Sequence, residues 1–96
     1  MDRIEFLNTL EGIIEDRLRN PSEGSYTARL AAEGELKVAQ KLGEEGVEVA
    51  LSAVAESPAR LTEEAADLLY HLLVLLQMRG LSLGAVSDEL ERRHKG

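Results

Sequence analysis

The chain has 96 residues, no cysteine, a formal charge of −7 and an isoelectric point near 4.8. A chain of this length makes one small domain that buries only about 60–65% of its unfolded surface, so oligomerisation is expected. Its acidity argues against a nucleic-acid backbone as the main partner. Phe6, Tyr26 and Tyr70 are the only aromatic residues, too few for a base-stacking platform, and without thiols neither disulfides nor thiolate metal sites can form. An acidic protein still binds phosphates where a metal ion and a few placed lysines reverse the sign locally.

Met1-Asp2-Arg3-Ile4-Glu5 opens a helical pattern, with no basic region ahead of an apolar stretch, so no signal peptide is read there. The longest unbroken apolar run, Leu72–Leu76, is too short to span a bilayer. A soluble, cytoplasmic protein is the expectation.

Ile4, Leu7, Leu10, Ile14 and Leu18 recur at helical spacing and predict a first amphipathic helix over roughly 2–19, with Asp2 and Glu5 near its start. Asn20-Pro21-Ser22-Glu23-Gly24-Ser25 is a cluster of breakers and reads as a loop. Helical character resumes at Ser25-Tyr26-Thr27-Ala28-Arg29-Leu30, with Ser25 or Thr27 able to cap it. Gly34 separates this short helix from a long one over about 35–56. Ser57 is placed to cap the next helix and Pro58 to occupy its first position. That helix runs to about Arg79, where Gly80 supplies a left-handed end. Ser82 then caps a last helix over about 83–94, with Leu83, Val86 and Leu90 on one face. No strand pattern occurs. The expected fold is an all-α antiparallel bundle of four to five helices.

Lys41-Leu42-Gly43-Glu44-Glu45-Gly46-Val47-Glu48 has the form K-x-x-E-E-x-x-E, and Glu64-Ala65-Ala66-Asp67 follows as E-x-x-D. Residues three apart share a helix face, so Glu45 and Glu48 point one way from one helix and Glu64 and Asp67 one way from the next. If the two helices pack antiparallel, four carboxylates converge. Their repulsion is relieved by a divalent cation, and all-oxygen ligands suit magnesium, calcium or manganese. The alternative is a pair of ordinary solvated acidic faces.

The angular distribution disfavours that alternative. At 100° per residue, Lys37, Lys41, Glu44, Glu45 and Glu48 share an arc of roughly 100°. Leu36, Val38, Leu42, Val47, Val49, Leu51 and Val54 spread over nearly all the rest. An ordinary surface helix shows the opposite balance. The third helix is therefore expected to be buried on most sides, with its charges confined to a cleft. In the fourth helix Glu64, Asp67 and His71 form one narrow stripe on a segment otherwise apolar all round, which implies burial between bundle layers or across a dimer interface. Gly43 and Gly46 each cost about 1 kcal/mol against alanine in a helix interior, so they mark either close approach by a helix or ligand or a tight helix crossing.

The segments Ser25-Tyr26-Thr27, Lys41-Leu42-Gly43-Glu44-Glu45 and Ala65-Ala66-Asp67-Leu68-Leu69-Tyr70-His71-Leu72-Leu73-Val74-Leu75-Leu76, with the tail Arg79-Gly80-Leu81-Ser82-Leu83, carry a resemblance. The acidic motif resembles that of the MazG-like all-α nucleotide pyrophosphohydrolases. The combination is similar to one family within them, the phosphoribosyl-ATP pyrophosphohydrolases, over nearly the whole chain from Leu7 onward. The resemblance implies hydrolysis of phosphoribosyl-ATP to phosphoribosyl-AMP and pyrophosphate, the second step of histidine biosynthesis, with magnesium dependence and a homodimer of helical bundles. A chain this short is expected to be the stand-alone form without a fused cyclohydrolase domain.

The resemblance also implies roles. Glu45, Glu48, Glu64 and Asp67 become the magnesium ligands, the same four carboxylates the helical spacing selects. Glu44 either orients or deprotonates the attacking water or pairs with a lysine. Lys41 and Lys37 either hold phosphate oxygens or form structural ion pairs. Tyr26, Thr27 and Arg29 belong to a segment able to close over substrate, with Thr27 as a helix cap the alternative. His71 is either a substrate contact or a hydrogen-bonded core residue. Neither His71 nor His94 has a Glu three residues ahead of it, which disfavours a di-iron carboxylate site. Two other functions compete. A house-cleaning hydrolase of noncanonical or deoxynucleoside triphosphates would share the carboxylates but is opposed by the Ser25–Arg29 segment. A non-catalytic helical dimerisation module would use the bundle alone.

Overall fold

Serine, proline and glycine punctuate the chain at the helix ends they are suited to. The computed structural model describes residues 3–95. It comprises α1 (Glu5–Arg19), α2 (Tyr26–Ala32), α3 (Glu35–Ala55), α4 (Pro58–Met78) and α5 (Leu83–Arg93), with no strand among the described residues. Three serines cap helices in the same way: Ser25 Oγ accepts from the Ala28 amide at 3.1 Å, Ser57 Oγ from Arg60 at 3.2 Å and Ser82 Oγ from Ala85 at 3.1 Å. Ser25, not Thr27, is thus the cap of α2, and Pro58 stands in the first turn of α4. Gly80 has φ +74°, and the Leu81 and Gly80 amides bond back to the Leu76 and Gln77 carbonyls at 2.8 and 3.1 Å. This closes α4 in a Schellman motif, which a β-carbon would strain.

One boundary differs from expectation. Asp2 lies outside the described residues, and Arg3 and Ile4 form a turn, so α1 begins at Glu5 rather than at residue 2. Ile4 at the cap position has no side-chain oxygen for the first amides, and only its carbonyl accepts, from the Leu7 amide at 3.0 Å.

The connection between α3 and α4 is only Glu56 and Ser57, so α4 must fold back along α3. The antiparallel course is confirmed at the far end, where Arg79 after α4 reaches Glu35 at the start of α3 at 3.3 Å. Ile14 of α1, Leu30 of α2, Val38 of α3 and Leu73 and Val74 of α4 form the fully buried core, with Leu10, Leu18, Tyr70, Leu75, Met78 and Leu83 packed around it. Glu11 anchors α5: its carboxylate accepts from the Leu83 amide at 2.6 Å and from Gln77 Nε2 at 3.3 Å. A negative group at a helix N-terminus is favoured by the unpaired amides and the helix dipole.

The expectation that α3 is buried on most sides is corrected. Within the chain Leu36, Val47, Leu51 and Val54 are 85, 60, 57 and 84% exposed, and Leu69 of α4 is 40% exposed. The core lies toward one end of the hairpin, and among the described residues no element covers the outer flank of α3. A β-carbon built on Gly43 or Gly46 would meet nothing within 4 Å, so no helix of the same chain crosses closely there. The Cα radius of gyration, 14.5 Å, agrees with an open arrangement, since a compact chain of this length has about 12.5 Å.

Candidate functional site

The α3–α4 hairpin brings the acidic motifs face to face. Donor oxygens of Glu45 and Glu48 on α3 and Glu64 on α4 lie within 4.8 Å of one another. Glu64 is only 3% exposed, Glu45 half-buried and Glu48 exposed, so the cluster runs from the helix interface to the surface. Glu45 Oε2 and Glu64 Oε2 are buried with no hydrogen-bond partner. Buried polar atoms are almost always paired, so two unpartnered acceptors on members of one acidic cluster call for a positive ligand. The donors are all carboxylate oxygens, which fits a hard divalent cation.

Asp67 follows Glu64 on α4 but is exposed and stands outside the cluster of three. It is close enough to act electrostatically on Glu64. Glu44 is exposed on the adjoining face of α3. Lys37 is exposed and Lys41 half-buried, and neither is ion-paired among the described residues, so neither lysine serves the structural pair that its position also allowed. Both amines remain available to an anion.

A second group of predicted residues ties α2 to α4. His71, 6% exposed, places Nδ1 2.8 Å from the Asp67 carbonyl and Nε2 3.0 Å from the Tyr26 hydroxyl. A carbonyl can only accept, so in the neutral ring Nδ1 carries the proton and Nε2 accepts from Tyr26. Buried Thr27 shares a hydrogen bond with the Tyr70 hydroxyl. Tyr70 meets His71 edge-on, with ring centroids 5.6 Å apart. Arg29 lies over the Tyr26 ring at 5.9 Å and remains exposed. Tyr26 and Arg29 thus lie at the surface above a polar layer formed by buried Thr27 and His71 and half-buried Tyr70.

Sequence spacing alone passed over one residue. Arg60 Nη2 is 2.5 Å from Glu64 Oε1, while Nη1 of the same guanidinium is 3.2 Å from Glu63. The signal was present as two helical steps, i to i+3 and i to i+4, from a cation to carboxylates.

Glu64 is held above the ordinary carboxylate range, first by the neighbouring Glu48 carboxylate and then by burial, against the opposing pull of Arg60. A carboxyl raised in this way binds more protons folded than unfolded, so the stability of chelated protein falls as pH rises from the ordinary carboxylate range through the raised one.

Helices that gather glutamates into one oxygen-donor cluster across an antiparallel hairpin define a class, an all-α protein with a candidate divalent-cation centre. The comparisons narrow it. The family model for phosphoribosyl-ATP pyrophosphohydrolase matches residues 7–94. A phosphoribosyl-ATP pyrophosphatase of Pyrobaculum islandicum is 57% identical over 89 residues, 93% of this chain and 95% of that protein. One from Metallosphaera sedula is 55% identical over 91 residues, covering 95 and 98% of the two chains. A histidine biosynthesis bifunctional protein HisIE of Xanthomonas campestris is 50% identical over 91 residues, 95% of this chain but 44% of that longer protein. The chain belongs to the phosphoribosyl-ATP pyrophosphohydrolase family.

Thermal unfolding followed against pH checks the electrostatics. In chelator, stability is expected to decline from about pH 4.5 upward through the window in which Glu64 loses its proton. Added divalent cation is expected to flatten or reverse that decline, because it binds the ionised cluster of the folded state. A profile unaffected by cation would contradict the site.

Proposed function

We propose that the protein hydrolyses phosphoribosyl-ATP to phosphoribosyl-AMP and pyrophosphate, the second step of histidine biosynthesis, in the cytoplasm and as a single domain of this family. The observation that supports it most is the trio Glu45, Glu48 and Glu64 with its two buried, unpartnered oxygens, in a chain that matches the family over residues 7–94. Water adds across the α–β phosphoanhydride bond, leaving phosphate on the phosphoribosyl-AMP side and releasing pyrophosphate.

Glu45, Glu48, Glu64 and Asp67 would hold Mg2+, which supplies charge neutralisation on phosphate oxygens and a lowered pKa for bound water. Glu44, exposed beside the cluster, accepts the proton of the attacking water or orients it. Lys41 and Lys37, unpaired on the same arc of α3, bind the anionic phosphates. Arg29 and Tyr26 close over the substrate from α2. Thr27 and His71 act from the layer beneath, holding Tyr26 and the start of α2 against α4.

The assembly we assign is a homodimer in which a second copy covers Leu36, Val47, Leu51 and Val54. Four large apolar side chains on one helix, each more than half exposed, favour association once a complementary surface is offered.

Two experiments test this reading. Glu48→Gln and Asp67→Asn are each expected to lower pyrophosphate release by at least about a hundredfold with an unchanged helical circular-dichroism spectrum. Full activity in either would remove that residue from the site. Leu51→Asp is expected to shift the sedimenting species from dimer to monomer, and a wild type sedimenting as a monomer would refute the assembly.

A further inference from the structure

Arg60 is the one cation in contact with the acidic cluster among the described residues. It sits one turn ahead of Glu64 on α4, and its guanidinium is divided between two unlike partners. Nη2 lies 2.5 Å from Oε1 of Glu64, a carboxylate 3% exposed, while Nη1 lies 3.2 Å from Oε1 of Glu63, which is 68% exposed. The Arg60 side chain is itself 51% exposed. One hand therefore reaches into the cluster and the other stays in solvent.

A group so placed is able to leave. The stem is anchored on α4, so retreat needs only side-chain rotation, and Glu63 and water remain as partners. A dication among Glu45, Glu48 and Glu64 also gives it reason to leave. Donor oxygens within 4.8 Å of one another place such an ion within a few ångströms of the guanidinium, where like charges repel and both compete for the same carboxylate.

We propose that Arg60 is a tethered counter-ion for the acidic cluster, occupying Glu64 when no divalent cation is bound and yielding it when one binds. The proposal rests on the reading of the cluster as a cation site and adds a competitor that the motif residues do not include. With the cation absent, Arg60 offsets part of the repulsion that Glu64 meets from Glu48 and Asp67. With the cation bound, the guanidinium is released at the rim of the site, beside the place where an anionic phosphate chain arrives. The two states are linked: whatever Arg60 contributes to the folded protein without cation is subtracted from cation affinity.

Calorimetric titration of chelated, full-length protein with Mg2+ and with Mn2+ tests this, combined with melting curves in chelator. For Arg60→Gln the apparent Kd is expected to fall by about three-fold or more, while the melting temperature in chelator also falls. Arg60→Lys keeps the charge but not the forked reach to both glutamates, and its Kd is expected between the two. Opposite shifts of affinity and chelated stability separate a competitor from a merely structural residue, whose loss would weaken both. An unchanged or raised Kd in Arg60→Gln, with wild type binding cation, overturns the counter-ion role and leaves the cluster assignment standing. No cation binding by wild type or variant overturns both.

Discussion

Carboxylates crowded across the α3–α4 hairpin repel each other, and the hairpin has to be held shut against that repulsion. Glu45 and Glu48 meet Glu64 because a two-residue connection reverses the chain and the Arg79–Glu35 pair fixes the opposite end. The buried core, drawn from α1, α2, α3 and α4, supplies the apolar contact that keeps the helices together. A raised proton affinity at Glu64 is the residue of that conflict, and Arg60 a partial answer to it. A divalent cation would answer it more fully, since the groups that repel one another are the groups suited to grip a hard ion.

Around this cluster the remaining polar residues fall into two layers. Lys37, Lys41 and Glu44 stand on α3 without ion-pair partners among the described residues. Thr27, Tyr70, His71 and Tyr26 are partnered with one another, so they define where α2 lies against α4. His71 links the layers: its Nδ1 is bonded to the carbonyl of Asp67, whose side chain acts electrostatically on Glu64. A buried, satisfied histidine and a functional neighbourhood are compatible readings of the same residue.

What was legible in the sequence is what local geometry controls. Ser57-Pro58, Gly80 and Ser82 announce helix ends through capping chemistry that acts within four residues, and the structure places them so. The glutamate trio was legible because a three-residue spacing fixes a face and a short connection fixes an antiparallel neighbour. Less of the long-range packing could be read. Tyr26 meets His71 and Thr27 meets Tyr70 across more than forty residues, where no periodicity specifies a partner. The apolar circumference of α3 was read as burial, but Val47, Leu51 and Val54 lie open within one chain. Apolar periodicity says that a face wants covering and does not say which chain covers it. Arg60 shows the reverse case, a local pair that looks like any surface salt bridge until its partner proves buried.

The most direct test of the account is pyrophosphate release from phosphoribosyl-ATP, measured with Mg2+, with chelator, and against a panel of nucleoside triphosphates. Release confined to phosphoribosyl-ATP and abolished by chelator is the predicted result. Release mainly from the plain triphosphates would keep the carboxylate cluster but contradict the substrate. Release undiminished by chelator would contradict the cation on which the reading of the cluster depends.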